Sequence, residues 1–396
     1  MQYREDKLSG NKLSALGFGC MRFPTRSGKV AMESTEPLLL QAYEQGVNYF
    51  DTAYLYGGSE AAVGEVFEKH NIRTNVYIAT KLPHSMCTKP EDFDKFFNIQ
   101  LERLRTDYID YYLLHNITEL RQWERLCEFG IEDWIAQKKA QGAICQFGFS
   151  FHGTYPEFEK LLDTDVFDFV QIQYNYINEH YQAGLEGLEL AAQKGLPVVI
   201  MEPLLGGKLA DSLPKEAAAL FEEAVPGSSP ASWALKWVWN HPAVTLLLSG
   251  MNAPEQLEEN LELANSALPQ SMSSDEQAVI EKAVGIFESN YKVLCTGCNY
   301  CMPCPKEINI PGIFSAYNTS YAIGRFDGIK QYLTTNGMIT GNPRFASDCV
   351  SCGLCKKKCP QSIEIPEVMA RAKKRLQFPG MATLAPVGLK IARRLM

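Results

Sequence analysis

The chain has 396 residues, 46% of them hydrophobic and 21% charged, which is enough apolar material for a sizeable core and excludes a wholly disordered chain. Thirty-eight Lys and Arg against 46 Asp and Glu leave a net charge of −8, without the basic footprint of a nucleic-acid partner. The longest apolar runs are strand-length and fall short of the ~18–20 residues a bilayer span needs. The polar start Met1-Gln2-Tyr3-Arg4-Glu5-Asp6 does not read as a signal peptide, so a cytoplasmic protein with no membrane partner is expected.

In chain order, Ser9-Gly10-Asn11 is a turn signal between two short runs, which predicts a small hairpin within residues 2–14. Strands are then predicted at 15–20, 47–51, 75–80, 108–115, 144–150, 167–173, 197–202 and 244–249. Between most of them lie helical patterns at 33–45, 59–70, 90–104, 121–141, 155–162, 181–194 and 230–240. Runs such as Val198-Val199-Ile200-Met201 are apolar without alternation, as in strands buried on both faces of a parallel sheet. Eight such units in about 280 residues predict a (β/α)8 barrel. An open doubly wound sheet is the rival, but Gly17-Phe18-Gly19-Cys20 does not open a helix as a dinucleotide-binding turn requires. The expected domains are 1–285, the barrel; 286–375, a small α-helical unit; and 376–396, a basic tail.

Eight of the twelve cysteines fall in two groups, whereas Cys20, Cys87, Cys127 and Cys145 stand apart. In a reducing compartment, clustered cysteines read as metal ligands. Cys349-x-x-Cys352-x-x-Cys355-x-x-x-Cys359-Pro360 has the bacterial [4Fe–4S] spacing, and Cys295-x-x-Cys298-x-x-Cys301-x-x-Cys304-Pro305 is one residue shorter before its last cysteine. Both groups run into Cys-Pro-x-x-Ile-x-Ile-Pro, at 304–311 and 359–366, so the region is an internal repeat. In two-cluster proteins the fourth cysteine serves the other cluster. The expected ligand sets are therefore Cys295, Cys298, Cys301 and Cys359, and Cys349, Cys352, Cys355 and Cys304. The alternative is a pair of structural zinc sites, which usually use two separated Cys-x-x-Cys knuckles. The intervening helical patterns resemble two-cluster ferredoxin modules.

Asp51, Tyr56, Lys81 and His115 end or closely follow three consecutive predicted strands, where a barrel places its active site. An Asp–Lys pair beside a Tyr would favour the phenolate and suit the Tyr to proton donation, and a neighbouring His would orient a carbonyl.

These residues and their spacing resemble the aldo/keto reductases over about residues 1–285, and with the C-terminal cysteines the chain resembles the iron–sulfur branch of that family. The resemblance implies a catalytic tetrad of Asp51, Tyr56, Lys81 and His115. It implies nicotinamide contacts from Ser150 and Gln173, a cofactor loop at Gly206 and Gly207, and an adenine-side region from Ser249, Gly250 and Met251 to Asn260. Two features depart from the family pattern. The stretch 249–256 carries no Lys or Arg for a 2′-phosphate, which predicts no strong preference for NADPH over NADH. Phe151, followed by His152, stands where the family often has Asn. His84, Met86, Trp123 and Phe151 are equally compatible with lining a substrate pocket and with core or surface positions.

Hydride chemistry moves two electrons and an iron–sulfur cluster one, so a link is needed if both act together. FMN held by Gly206-Gly207 and Ser249-Gly250 would supply it; NAD(P)H is the other expected barrel cofactor. The leading reading is an oxidoreductase acting on a small carbonyl or related compound and coupled to two [4Fe–4S] clusters, with a ferredoxin-like electron partner. A direct NAD(P)H-dependent carbonyl reductase with structural clusters, and a non-catalytic redox-sensing or electron-shuttling subunit, are the alternatives.

Overall fold

The computed structural model describes residues 1–211, 213–322, 324–333, 343–378 and 381. It divides into two compact units. One comprises Met1–Leu204 and Ala231–Gln277, the other Leu205–Pro230 and the described residues of Ala278–Met396. Most of the basic tail expected at 376–396 lies outside the described residues.

All eight expected strands are present in the first unit and close into a parallel barrel. In chain order they are Leu16–Gly19, Tyr49–Asp51, Tyr77–Leu82, Ile109–Ile117, Ile144–Phe151, Phe169–Gln173, Val198–Met201 and Leu246–Ser249. Side chains alternate between the two faces of a strand, which sorts them cleanly. Tyr49, Ala79, Tyr111, Leu113, Phe169, Val199, Leu246 and Leu248 fill the interior, while Phe50, Ile78, Tyr112 and Leu114 pack outward in the larger core around it. The hairpin Tyr3–Glu5 with Lys12–Ser14 puts Leu13 into the interior cluster, and Tyr111 Oη donates to Asp6 at 2.9 Å.

Four departures from expectation matter. The third strand starts at Tyr77 rather than 75 because Arg73–Asn75 forms a 3-10 turn, so Lys81 lies inside the strand. The fourth strand runs to Ile117, with a register shift between Leu114 and Ile117 and a positive φ of 62° at Asn116. The single helix expected at 121–141 is two, Leu120–Glu128 and Ile131–Ala140, broken at Gly130, whose φ is 78°. A helix at Lys215–Ala224, absent from the sequence reading, lies in the second unit.

The second unit has its own apolar core, including Val293, Ile308, Ile313, Phe314, Tyr332, Val368 and Leu376. Helices Ile310–Ala322 and Ile365–Leu376 follow the two Cys-Pro segments, each with proline in its first turn, where the missing N–H costs nothing. Among the described residues no helix is long and apolar enough to cross a membrane.

Gly64 tests the packing between barrel helices. A Cβ there would stand 2.3 Å from the Arg103 carbonyl oxygen and 2.7 Å from Leu104 Cα, backbone atoms that cannot swing aside. Ala gains about 1 kcal/mol in helix propensity, but overpacking costs roughly 1–3 kcal/mol. Gly64→Ala is therefore expected to be neutral to destabilising by about 2 kcal/mol in urea unfolding; a clear gain in stability would contradict this packing.

Candidate active site and cysteine centres

Asp51, Lys81 and His115 share the alternation of Tyr49, Ala79 and Tyr111, so the rule that fills the barrel interior also aims them inward at the strand C-termini. All three are buried. Lys81 Nζ donates to Asp51 Oδ1 at 2.6 Å and to the Thr52 carbonyl at 2.8 Å, and Gln171 donates to Asp51 Oδ2 at 2.9 Å. Tyr56, half-buried in the turn after the second strand, has its ring 5.0 Å from Lys81 Nζ and edge-on to His115, with centroids 5.7 Å apart. The four residues read as a tetrad thus come together.

The support behind them was not visible as a motif. Gln100 donates to the Lys81 carbonyl at 3.1 Å and to Glu60 at 2.7 Å. Thr80 and Arg103 also donate to Glu60, at 2.6 and 3.0 Å, and Tyr112 Oη donates to Gln100 at 2.8 Å. These bonds come from helix and outward strand positions, which sequence reading assigns to ordinary core or surface.

The irregularity at the end of the fourth strand shapes the other wall. Bulges re-aim side chains beside active sites, and this one falls at His115 and Asn116. The Asn116 N–H donates to Ser150 Oγ at 2.8 Å, so Ser150 ties the bulge to the fifth strand. Burial, followed by the charges of Lys81, His84 and His152, holds His115 well below the ordinary histidine range, so its ring is neutral at pH 7. Burial likewise lowers His84 and His152 to about 4. The backbone at Asn116 and His115 partly opposes the lowering of His84, and His152 pairs with Gln182 at 3.2 Å. Trp123 and Phe151 are buried in the core and Met86 is exposed.

The expected cofactor contacts divide between the units. Ser150 and Gln173 are buried in the barrel, and Asn260 donates to Ser249 Oγ at 2.9 Å beside buried Met251. The stem of Arg22, from the turn after the first strand, lies 3.6 Å from where a Gly250 Cβ would stand. A positive side chain thus reaches the Ser249–Gly250 turn from residues far away in sequence. Gly206 and Gly207 belong to the second unit, and a Gly206 Cβ would meet the Thr296 carbonyl oxygen at 2.3 Å. Its φ of 67° and this approach both require glycine. Lys208 stands 5.3 Å from the Tyr291 ring; burial lowers its pKa and the Cys295 thiolate opposes that.

The cysteines line two cavities. Cys304 joins Cys349, Cys352 and Cys355 around one of them, with Ile308, Ile310, Ile365 and Met369. Cys359 joins Cys295, Cys298 and Cys301 around the other, with Phe314, Ile310, Ile363 and Ile365. The repeat explains the pairing: Ile308 and Ile363 are equivalent, as are Ile310 and Ile365, and each copy lends its Cys-Pro to the other's cysteine loop. Burial raises Cys301 to about 12, helped by the charges of Cys295, Cys298 and Cys359. Such thiolates ionise together only against metal charge, and three cysteines in one run joined by a fourth from the other repeat differ from the two separated Cys-x-x-Cys knuckles usual for a single zinc ion. Among the described residues no three His, Cys, Asp or Glu groups converge on a single-ion position. The donor sets therefore fit clusters better than single ions.

Comparison with known proteins agrees with this division. An aldo/keto reductase family model matches residues 15–281, and a 4Fe-4S dicluster domain model matches residues 294–364. The uncharacterized oxidoreductase YqkF of Bacillus subtilis is 27% identical over 300 residues, which cover 67% of this chain and 92% of that protein. L-galactose dehydrogenase of Arabidopsis thaliana is 26% identical over 324 residues, covering 69% and 92%. The holo form of aldo-keto reductase AKR11C1 from Bacillus halodurans aligns with a TM-score of 0.59 and 25% identity over 72% of this chain and 96% of its own. The parallel barrel and the family match over residues 15–281 lead to one assignment: the chain belongs to the aldo/keto reductase family and is an oxidoreductase whose barrel is followed by a dicluster iron–sulfur domain.

Proposed function

We propose that this protein is a cytoplasmic oxidoreductase that reduces or oxidises a small carbonyl compound or its alcohol, with acid–base chemistry in the barrel coupled to two redox-active [4Fe–4S] clusters. The observation that carries the reading is the buried Lys81–Asp51 pair facing Tyr56 and a neutral His115 at the barrel mouth, in a chain that also holds two four-cysteine cavities. We take the domains as 1–285, 286–375 and a tail at 376–396.

Tyr56 is the proton donor to a carbonyl oxygen, and the acceptor in reverse. Lys81, oriented by Asp51 and the Thr52 carbonyl, places positive charge beside the phenol as it yields its proton. The neutral His115 ring hydrogen-bonds and orients the carbonyl. Ser150, Gln173, Ser249, Gly250, Met251 and Asn260 hold the barrel cofactor, with the Arg22 stem beside the Ser249–Gly250 turn. When bound, FMN or a nicotinamide handles electron pairs and the clusters handle single electrons.

The second reading is direct NAD(P)H-dependent carbonyl reduction with structural clusters. It is favoured by the relatives, 92% of whose length is matched by only 67–69% of this chain.

Tyr56→Phe is expected to fold normally and to lower turnover by roughly 10²–10⁴-fold; steady-state kinetics showing near-normal turnover would remove Tyr56 from proton transfer. For the cysteines, Cys304→Ala is expected to damage the cluster of Cys349, Cys352 and Cys355 and spare the other, with Cys359→Ala doing the reverse. Iron counts and EPR of both variants check this, and loss of the same-repeat cluster in each would refute the crossed assignment. Small molecules released from anaerobically purified protein, identified by absorbance and mass, separate the two readings. FMN is expected, with no strong NADPH-over-NADH preference in binding. A flavin-free preparation that binds NADPH far more tightly would favour direct carbonyl reduction.

A further inference from the structure

The two cysteine loops are copies of one sequence, yet their surroundings differ. Thr296, immediately after Cys295, is 3% exposed, because the Leu205–Gly207 turn packs onto it at Gly206. Val350 holds the equivalent place after Cys349 and is 60% exposed. Leu354 is 49% exposed and Cys352 is exposed as well. The repeat therefore buries a polar residue at one centre and leaves apolar residues in water at the other, the reverse of what folding alone favours.

The charge around the exposed loop also runs against the chain. Residues 344–376 contain eight Lys or Arg and three Asp or Glu, in a protein whose net charge is −8. Lys356, Lys357 and Lys358 are exposed directly after Cys355, and Lys306 lines the same cavity from the other repeat. Three of the neighbouring carboxylates are engaged: Glu364 pairs with Lys356 at 2.6 Å, Glu307 with Arg344 at 2.5 Å, and Asp348 accepts from the Phe345 N–H. Lys306, Lys357 and Lys358 have no ion-pair partner among the described residues.

We propose that this surface, with Val350 and Leu354 at its centre and Lys306, Lys357 and Lys358 around them, docks an acidic protein that carries one electron at a time. This rests on the reading that the clusters are redox-active. Opposite charge steers the encounter, and the apolar centre supplies contact area beside the cysteines. In the exchange one electron leaves the reduced carrier and one enters the centre of Cys304, Cys349, Cys352 and Cys355; no bond or proton is transferred. Anionic membranes also attract basic, apolar surfaces, but placement on a cysteine loop favours an electron carrier.

The test uses the full-length holoprotein, an acidic plant-type [2Fe–2S] ferredoxin as carrier, and photoreduced deazaflavin as a small reductant that needs no docking. Ferredoxin binding, measured by titration, and cluster reduction, followed by stopped-flow bleaching, are each expected to weaken about tenfold in Lys357→Glu/Lys358→Glu. Raised salt should do the same to the unaltered protein, and reduction by deazaflavin should stay within about twofold in both cases. Iron content and EPR report whether the variant keeps its clusters; if it does not, the salt series on the unaltered protein and Lys306→Glu decide. Ferredoxin binding that ignores both salt and charge reversal would overturn the docking surface. So would binding to anionic phosphatidylserine vesicles without binding to ferredoxin. Clusters that deazaflavin reduces while ferredoxin neither binds nor accelerates reduction would sink the docking surface alone. Clusters that neither reductant reduces would sink the coupled reading and the docking surface with it.

Discussion

The barrel site depends on a buried ion pair. Lys81 and Asp51 are both nearly inaccessible to water, and burying two such charges is costly unless their geometry and remaining bonds are good. Here the conditions are met: the ammonium also reaches the Thr52 carbonyl, and the second carboxylate oxygen accepts from Gln171. Removing either partner from such a pair typically costs about 3–5 kcal/mol, because the other charge is left uncompensated. The Glu60, Thr80, Gln100 and Arg103 network holds the third strand from behind, so the position of Lys81 is set by bonds on both sides.

A second constraint acts on the opposite wall. The fourth strand delivers His115 by its ordinary alternation, and the register shift that follows turns the backbone at Asn116, where Ser150 secures it. Three histidines in this region are all shifted downward, mainly by burial. Positive charge at the mouth therefore belongs to Lys81 rather than to the imidazoles. That arrangement suits the proposed proton donation by Tyr56 and the proposed hydrogen bond from an uncharged His115.

The second unit solves a different problem. It is small, and its apolar core alternates with thiols that repel one another as they ionise. Metal binding relieves that repulsion and adds folding energy that a small core lacks. The repeat makes this economical: one Cys-Pro segment and one helix from each copy complete the cavity formed by the other. The copies then diverge in their surroundings, one loop covered at Thr296 and the other exposed at Val350.

Much of this was legible before any coordinates. Alternation and apolar runs were enough to locate eight strands, because a strand buried on both faces leaves a local mark. The cysteine spacing specified donor type and the repeat suggested crossed sets, because three ligands from one loop must be close in sequence. Residues at the strand ends announced Asp51, Lys81 and His115 for the same local reason. Tertiary structure alone decided the rest. Gln171 reaches Asp51 from the far side of the barrel, Arg22 approaches Gly250 from 228 positions earlier in the sequence, and Gln100 supports Lys81 from a helix. The bulge at Asn116 depends on the register of two paired strands, and the covering of Thr296 depends on a turn ninety residues earlier in the chain. None of these leaves a periodic or spaced pattern, because each contact arises only when segments distant in sequence are brought together by closure and packing.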